Sequence, residues 1–145
     1  MEDRTTVALK EYEFLQNIIA RQESIRLTIR NWLFGLVTGL IIAFYSNDFI
    51  LSQWQFTLLS IFLILMFYWT ELLHRVAEYR AMVRSTEVEE ILRSGTSYDG
   101  PKIGKSLDKR NTIKDQIAQI PNNPRIYIPY ITLLFIISLI ALVGK

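Results

Sequence analysis

Charge is missing from three long stretches of this chain, and that pattern limits its fold more than any single motif does. No Asp, Glu, Lys or Arg occurs from Asn31 to Asn47, from Phe49 to Thr70, or from Ile126 to Gly144. A hydrocarbon core of about 30 Å takes on the order of 20 apolar residues as a helix, with a range of about 17–25. The third stretch meets that requirement directly. Trp54–Thr70 sits at the lower limit, and Trp32–Tyr45 crosses only with its uncharged flanks or with local thinning of the bilayer. Half of the residues are apolar although 21% are charged. The two kinds lie in separate blocks, whereas a helix on the surface of a soluble core interleaves them. The expected fold is an all-α membrane protein with three transmembrane helices, whose cytoplasmic helical extensions form a small bundle.

The basic residues predict the topology. Arg21, Arg26 and Arg30 precede the first span, the connection Ser46–Gln53 carries only Asp48, and ten basic residues lie between Glu71 and Arg125. By the positive-inside rule both basic segments face the cytoplasm, and the C-terminal Lys145 lies outside. The expected segments are a cytoplasmic amphipathic helix at 1–30, a transmembrane hairpin at 31–70, a cytoplasmic helical part at 71–125 with a Gly/Pro loop at 94–105, and a third span at 126–145. Trp32, Tyr45, Trp54, Trp69, Tyr127 and Tyr130 mark the ends of the runs, where amphipathic rings favour the interface. The polar residues before the first run argue against a cleaved signal peptide. With no cysteine, disulfides and thiolate metal sites are excluded.

Leu15, Ile18, Gln22, Ile25, Ile29 and Trp32 step by three and four, and the same repeat continues at Leu36, Gly39 and Ala43. That is a heptad-like seam on one helix from about Thr5 to Tyr45. It serves either self-association or packing on the chain's own helices. Gly35, Gly39 and Ala43 place small residues on one face, which in lipid allows close backbone approach, within one chain or between chains. After the second span, Leu72, Val76, Tyr79 and Val83 form a stripe, with Gly95 as its stop. A shorter helix is expected over Ser106–Gln119, ended by Pro121-Asn-Asn-Pro124. Pro129 is expected in the first turn of the third span, where its missing donor matters little.

Few residues suggest chemistry. Gly100-Pro-Lys-Ile-Gly-Lys-Ser106 has three residues between its glycines and follows a helix. A nucleotide-binding phosphate loop has four and follows a strand. Lys102, Lys105, Lys109 and Arg110 remain candidate contacts for an anionic ligand or a regulator; the plainer reading is a solvated basic loop. Glu71 and His74 lie one turn apart, but a di-metal site needs a second copy of that pair and His74 is the one histidine. Glu71 is otherwise expected to pair with Arg75 or His74, or to form the charged mouth of a pore built from several chains. Thr38, Thr57 and Ser60 are expected to hydrogen-bond within or between helices. No nucleophile–base arrangement, cofactor site or nucleic-acid patch is visible, and an enzyme is not expected. A coupled transporter would need ionisable residues in mid-span, and none is present.

Phe14-Leu-Gln-Asn-Ile-Ile-Ala-Arg-Gln-Glu-Ser24, Ile29-Arg-Asn-Trp32 with its glycine-bearing span, and Phe67-Tyr-Trp-Thr-Glu-Leu-Leu-His-Arg75 with Tyr79-Arg80 together resemble small bacterial transmembrane effectors. These are the SLATT-type and related proteins found beside nucleotide-signalling antiphage systems. The likeness covers roughly residues 10–93. Arg30-Asn-Trp32 stands where the family often has Lys-Gly-Trp, and no family ligand site maps onto 94–125. The resemblance implies an oligomer in the inner membrane that permeabilises it after infection is sensed. Lipid, further copies of the chain, and a cytoplasmic sensor protein or nucleotide second messenger would be its partners. The competing expectation is a membrane-anchored scaffold that recruits another protein without permeation.

Overall fold

The computed structural model describes residues 4–46, 52–107 and 124–143, with Lys114 and Ala118 as single helical positions between the last two stretches. Helix α1 runs Arg4–Tyr45 and α2 runs Gln53–Ser94, each 42 residues long. The short α3 covers Ile103–Leu107, and α4 covers Pro124–Val143. Three of these helices are long and apolar enough to cross a membrane. The chain is an all-α membrane protein.

Proline placement accounts for the two unbroken helices. All four prolines lie after α2, at positions 101, 121, 124 and 129, so nothing removes an intrahelical hydrogen bond before Ser94. The Ser52 amide donates to Gln55 Oε1 at 3.0 Å, and the Phe56 amide donates to the Ser52 carbonyl at 3.0 Å. That is one arm of a capping box, with the residue three positions on reaching back to the cap amide. At the other end Gly95 takes φ +66°, a conformation that spares glycine the Cβ clash and closes the helix as expected. Helix α4 begins two residues before the expected span, because Pro124 suits a first helical position. Pro129 therefore lies inside α4 and not in its first turn.

The inward face of α1 does not follow the heptad extrapolation. Ala8, Glu11, Leu15, Leu33, Val37 and Phe44 are buried, whereas Leu36 and Gly39 are exposed and Trp32 keeps 65% of its surface. The buried positions match a straight helix of about 3.6 residues per turn. A repeat of 3.5 drifts by about 20° per heptad, and Ala43 lies four heptads beyond Leu15. Over that distance the drift reaches about 80°. Likewise the stripe on α2 divides, with Leu72 and Val76 buried but Tyr79 and Val83 exposed.

Two compact units share the chain. One joins Met1–Arg26 with Leu73–Gln116, and the other joins Leu27–Leu72 with Ile117–Lys145. The first packs Ala8 and Leu15 of α1 against Ala81 and Val88 of α2 and against Tyr98 of the following loop. In the second, Leu33, Val37 and Phe44 of α1, Phe56 and Ile64 of α2, and Tyr130, Leu133 and Ile137 of α4 form the core. Phe44 stacks on Phe56 with ring centroids 4.4 Å apart, and Tyr68 meets Tyr130 edge-on at 5.1 Å. Of the helix expected over Ser106–Gln119, α3 supplies the beginning, and it starts earlier, at Ile103. Most of the remainder lies outside the described residues, as do Asp48 and Lys145.

Ile64 is 1% exposed and Phe62 is 61% exposed. Ile64→Ala is expected to destabilise the detergent-solubilised chain by about 2–5 kcal/mol. Phe62→Ala should change it far less, as thermal melts of the two variants will read directly.

Candidate functional site

Glu71 is the residue around which the second unit's polar chemistry is built. It lies one position past the second apolar run, and its surface is fully buried. Arg30 Nε donates to Glu71 Oε2 at 2.8 Å, and Arg30 Nη2 donates to Oε1, giving a two-pronged pair. The Tyr130 hydroxyl of α4 donates to the same Oε2. One carboxylate thus ties α1, α2 and α4 together. A buried charge in low dielectric is tolerated when it is paired and its lone pairs are satisfied, and both conditions hold here.

This arrangement corrects several expectations. Glu71 pairs with neither Arg75 nor His74: Arg75 bonds Glu78 at 3.0 Å, and His74 Nδ1 bonds Gln22 Oε1 at 2.8 Å. A carboxylate sealed inside its own chain does not line a pore mouth. Tyr130 turns inward to Glu71 instead of sitting at the interface, while Trp32, Tyr45, Trp54 and Trp69 are exposed.

The first unit holds a second closed network. The Glu11 carboxylate accepts from Arg84 Nε at 3.0 Å, from Arg84 Nη2 at 3.1 Å, from the Tyr98 hydroxyl, and from the Lys102 backbone amide at 3.0 Å. Arg84 also reaches Glu87 at 3.0 Å. Elsewhere in the same unit Arg26 lies 2.8 Å from Glu78, and Gln16 donates to Ser85 at 2.8 Å. Burial pushes the Glu11 carboxyl up, but the hydrogen bonds from Arg84, Tyr98 and Lys102 outweigh it and hold the group below its ordinary value. Burial, aided by the bond to Glu11, pushes the Tyr98 phenol up to about 12.

The loop expected to meet a regulator is therefore fastened from inside. The Lys102 amide is taken by Glu11. The Lys102 ammonium and Lys105 remain on the surface, with Lys102 Nζ 3.5 Å from Asp99. Lys109 and Arg110 lie outside the described residues.

The residues expected to assemble copies separate into two groups. Leu15 is fully buried in the first unit's core, Ile18 packs against that core, and Gln22 is bonded to His74. Ile25 and Ile29 are half-buried. The Leu15–Gln22 part of the seam thus packs on α2 of the same chain. The glycine face behaves differently. Gly35 and Gly39 are exposed, Ala43 is half-buried, and a Cβ added at either glycine meets no atom within 4 Å. A shallow notch of about 350 Å³ lies over Gly35, lined by Asn31, Trp32, Gly35 and Leu36. No group of three or more His, Cys, Asp or Glu side chains able to hold a metal occurs among the described residues.

Sequence reasoning passed over Glu11, Arg84, Tyr98 and Tyr130, and treated Arg26 and Arg30 only as topology markers. One signal was available. Glu11, Leu15, Ile18, Gln22, Arg26 and Arg30 fall on one face at a straight-helix repeat, so charged residues shared the apolar side. The chain matches no protein-family model, no curated protein and no solved structure. The class that fold and site define is a multi-pass helical membrane protein with buried ion pairs between its helices.

Glu11→Ala leaves the buried Arg84 guanidinium only the exposed Glu87 as a partner, a loss of stability with an upper bound of about 3–5 kcal/mol, the cost of breaking a buried pair outright. Because the Glu11 pKa is lowered on folding, its contribution is present at neutral pH and lost as pH falls below the ordinary carboxylate range. Acid melts of wild type should steepen there, and those of Glu11→Ala should lack that component. The raised Tyr98 pKa gives the opposite limb, a contribution lost as pH rises from 10 toward about 12. Tyr98→Phe should flatten that alkaline limb.

Proposed function

We propose that this chain is an oligomeric effector of bacterial antiphage defence in the inner membrane, which permeabilises or depolarises the bilayer when triggered. In this reading the N-terminus is cytoplasmic and the C-terminus outside, in line with the basic residues before the first span and after the second. The observation that carries the proposal is the unfilled glycine face. The chain's own helices pack on the opposite side of α1, so a second copy can approach Gly35, Gly39 and Ala43 closely, and such approach favours association in lipid. The likeness of residues 10–93 to SLATT-type effectors supplies the biological setting. A cytoplasmic sensor or nucleotide second messenger would act on the 94–105 loop, where Lys102 and Lys105 present their charge.

A specific observation favours a second reading, the scaffold. The hydroxyls of Thr57, Ser60, Thr70, Thr132 and Ser138 each donate to a carbonyl four residues back on their own helix. They leave little polar surface to line an aqueous path. Permeation would then proceed by bilayer disturbance or a hydrophobic gate, whereas a scaffold needs no path at all. Tyr79, Met82 and Val83 are exposed on α2 outside the apolar runs and would offer such a scaffold an apolar contact.

Membrane potential and propidium uptake in bacteria expressing the chain, beside Gly39→Leu, separate the readings. Since a Cβ at Gly39 meets nothing within 4 Å and leucine is the better helix former, the variant should fold and insert normally. The expected result is depolarisation in wild type, with at least a tenfold smaller fraction of stained cells in the variant. Equal staining would remove the glycine face from the mechanism. Intact potential in both, even with the neighbouring genes present, would favour the scaffold.

A further inference from the structure

The three groups at Glu71 differ in what it takes to part them. Arg30 and Glu71 are opposite charges on α1 and α2, joined by two hydrogen bonds. Separating them beside the hydrocarbon would leave two uncompensated charges. Tyr130 is neutral and holds the carboxylate through one hydroxyl. If that bond opens, Glu71 keeps Arg30 and no charge is stranded.

The remaining attachments of α4 are weak in direction. Leu133 and Ile137 contribute apolar packing, and in lipid such contact has no hydrophobic drive behind it. Thr132 and Ser138 bond their own helix. Near the far end Gln53 Nε2 donates to the Ala141 carbonyl. Among the described side chains of α4, Tyr130 is the one with a hydrogen bond to another helix. It makes that bond to an ionised group, the stronger kind.

We propose that the Tyr130–Glu71 hydrogen bond is the release latch of α4, holding the third span on the α1–α2 pair, while the Arg30–Glu71 pair stays closed whether the latch is made or broken. This goes beyond the effector reading and does not need it. The hydroxyl adds one hydrogen bond to a carboxylate that Arg30 already neutralises, so its loss weakens the hold on α4 alone. It suits a joint that opens without stranding charge.

The chain has no cysteine, so single cysteines report opening cleanly. Ile126, in the first turn of α4, is 2% exposed, and Val88, in the core of the other unit, is fully buried. Maleimide labelling of Ile126→Cys and of Val88→Cys in native membranes is measured with and without Tyr130→Phe, which removes only the hydroxyl. The expected result is a rise in Ile126→Cys labelling of roughly ten- to a hundredfold, the range for a hydrogen bond to an ionised group, with Val88→Cys unchanged. Unchanged labelling at 126 overturns the latch. So does a parallel rise at both sites, because the hydroxyl would then support the fold as a whole. Propidium uptake in the same cells tests the other reading separately: faster labelling at 126 without uptake keeps the latch and removes the effector.

Discussion

A carboxylate buried at the end of a long apolar run must carry its counter-charge with it, and Glu71 does so through Arg30. The rest of the second unit depends on that neutralisation. Without it the second apolar run would end on an unpaired buried anion, a state that proteins avoid by protonation or rearrangement. With it, α1 and α2 are fixed in one register, because a two-pronged guanidinium–carboxylate contact tolerates little sliding. The same register sets Phe44 on Phe56 and turns Leu33 and Val37 inward.

Outside the apolar runs the solution is repeated with different residues. Glu11–Arg84 and Arg26–Glu78 lie between α1 and α2 in the first unit, again as ion pairs removed from water. Apolar side chains would give comparable stability there. What ion pairs add is a demand for a partner of opposite charge, which apolar packing does not make.

Much of the architecture was legible in the sequence. Three charge-free runs gave three spans, and Gly95 gave the end of α2. The fine register was not, and the reason is geometric. A 3.5-residue repeat and a 3.6-residue repeat agree over the first two heptads from Leu15 and then diverge, so Leu36 and Gly39 were assigned to the side that Leu33 and Val37 occupy. The buried charges were missed for a chemical reason. Arg26 and Arg30 satisfy the positive-inside rule whether they face headgroups or a carboxylate, and nothing local in the chain tells the two apart. The partner of Glu71 stands 41 residues away, beyond any short-range pattern. Tyr130 looked like an interface aromatic because a phenol suits either setting.

The fastening of the loop at Glu11 also divides its positions by how freely they can drift over generations. Tyr98 contributes a side-chain hydroxyl that few residue types can replace. Lys102 contributes only its main-chain N–H, which every amino acid except proline supplies. The fold thus leaves the identity of residue 102 almost unspecified while holding its place in space. Beyond the exposed contact with Asp99 at 3.5 Å, a pairing of the kind that adds little stability, pressure that keeps a lysine there comes from what its ammonium meets outside the fold. A comparison of side-chain variety at 98 and 102 across relatives would separate inheritance owed to architecture from inheritance owed to a partner.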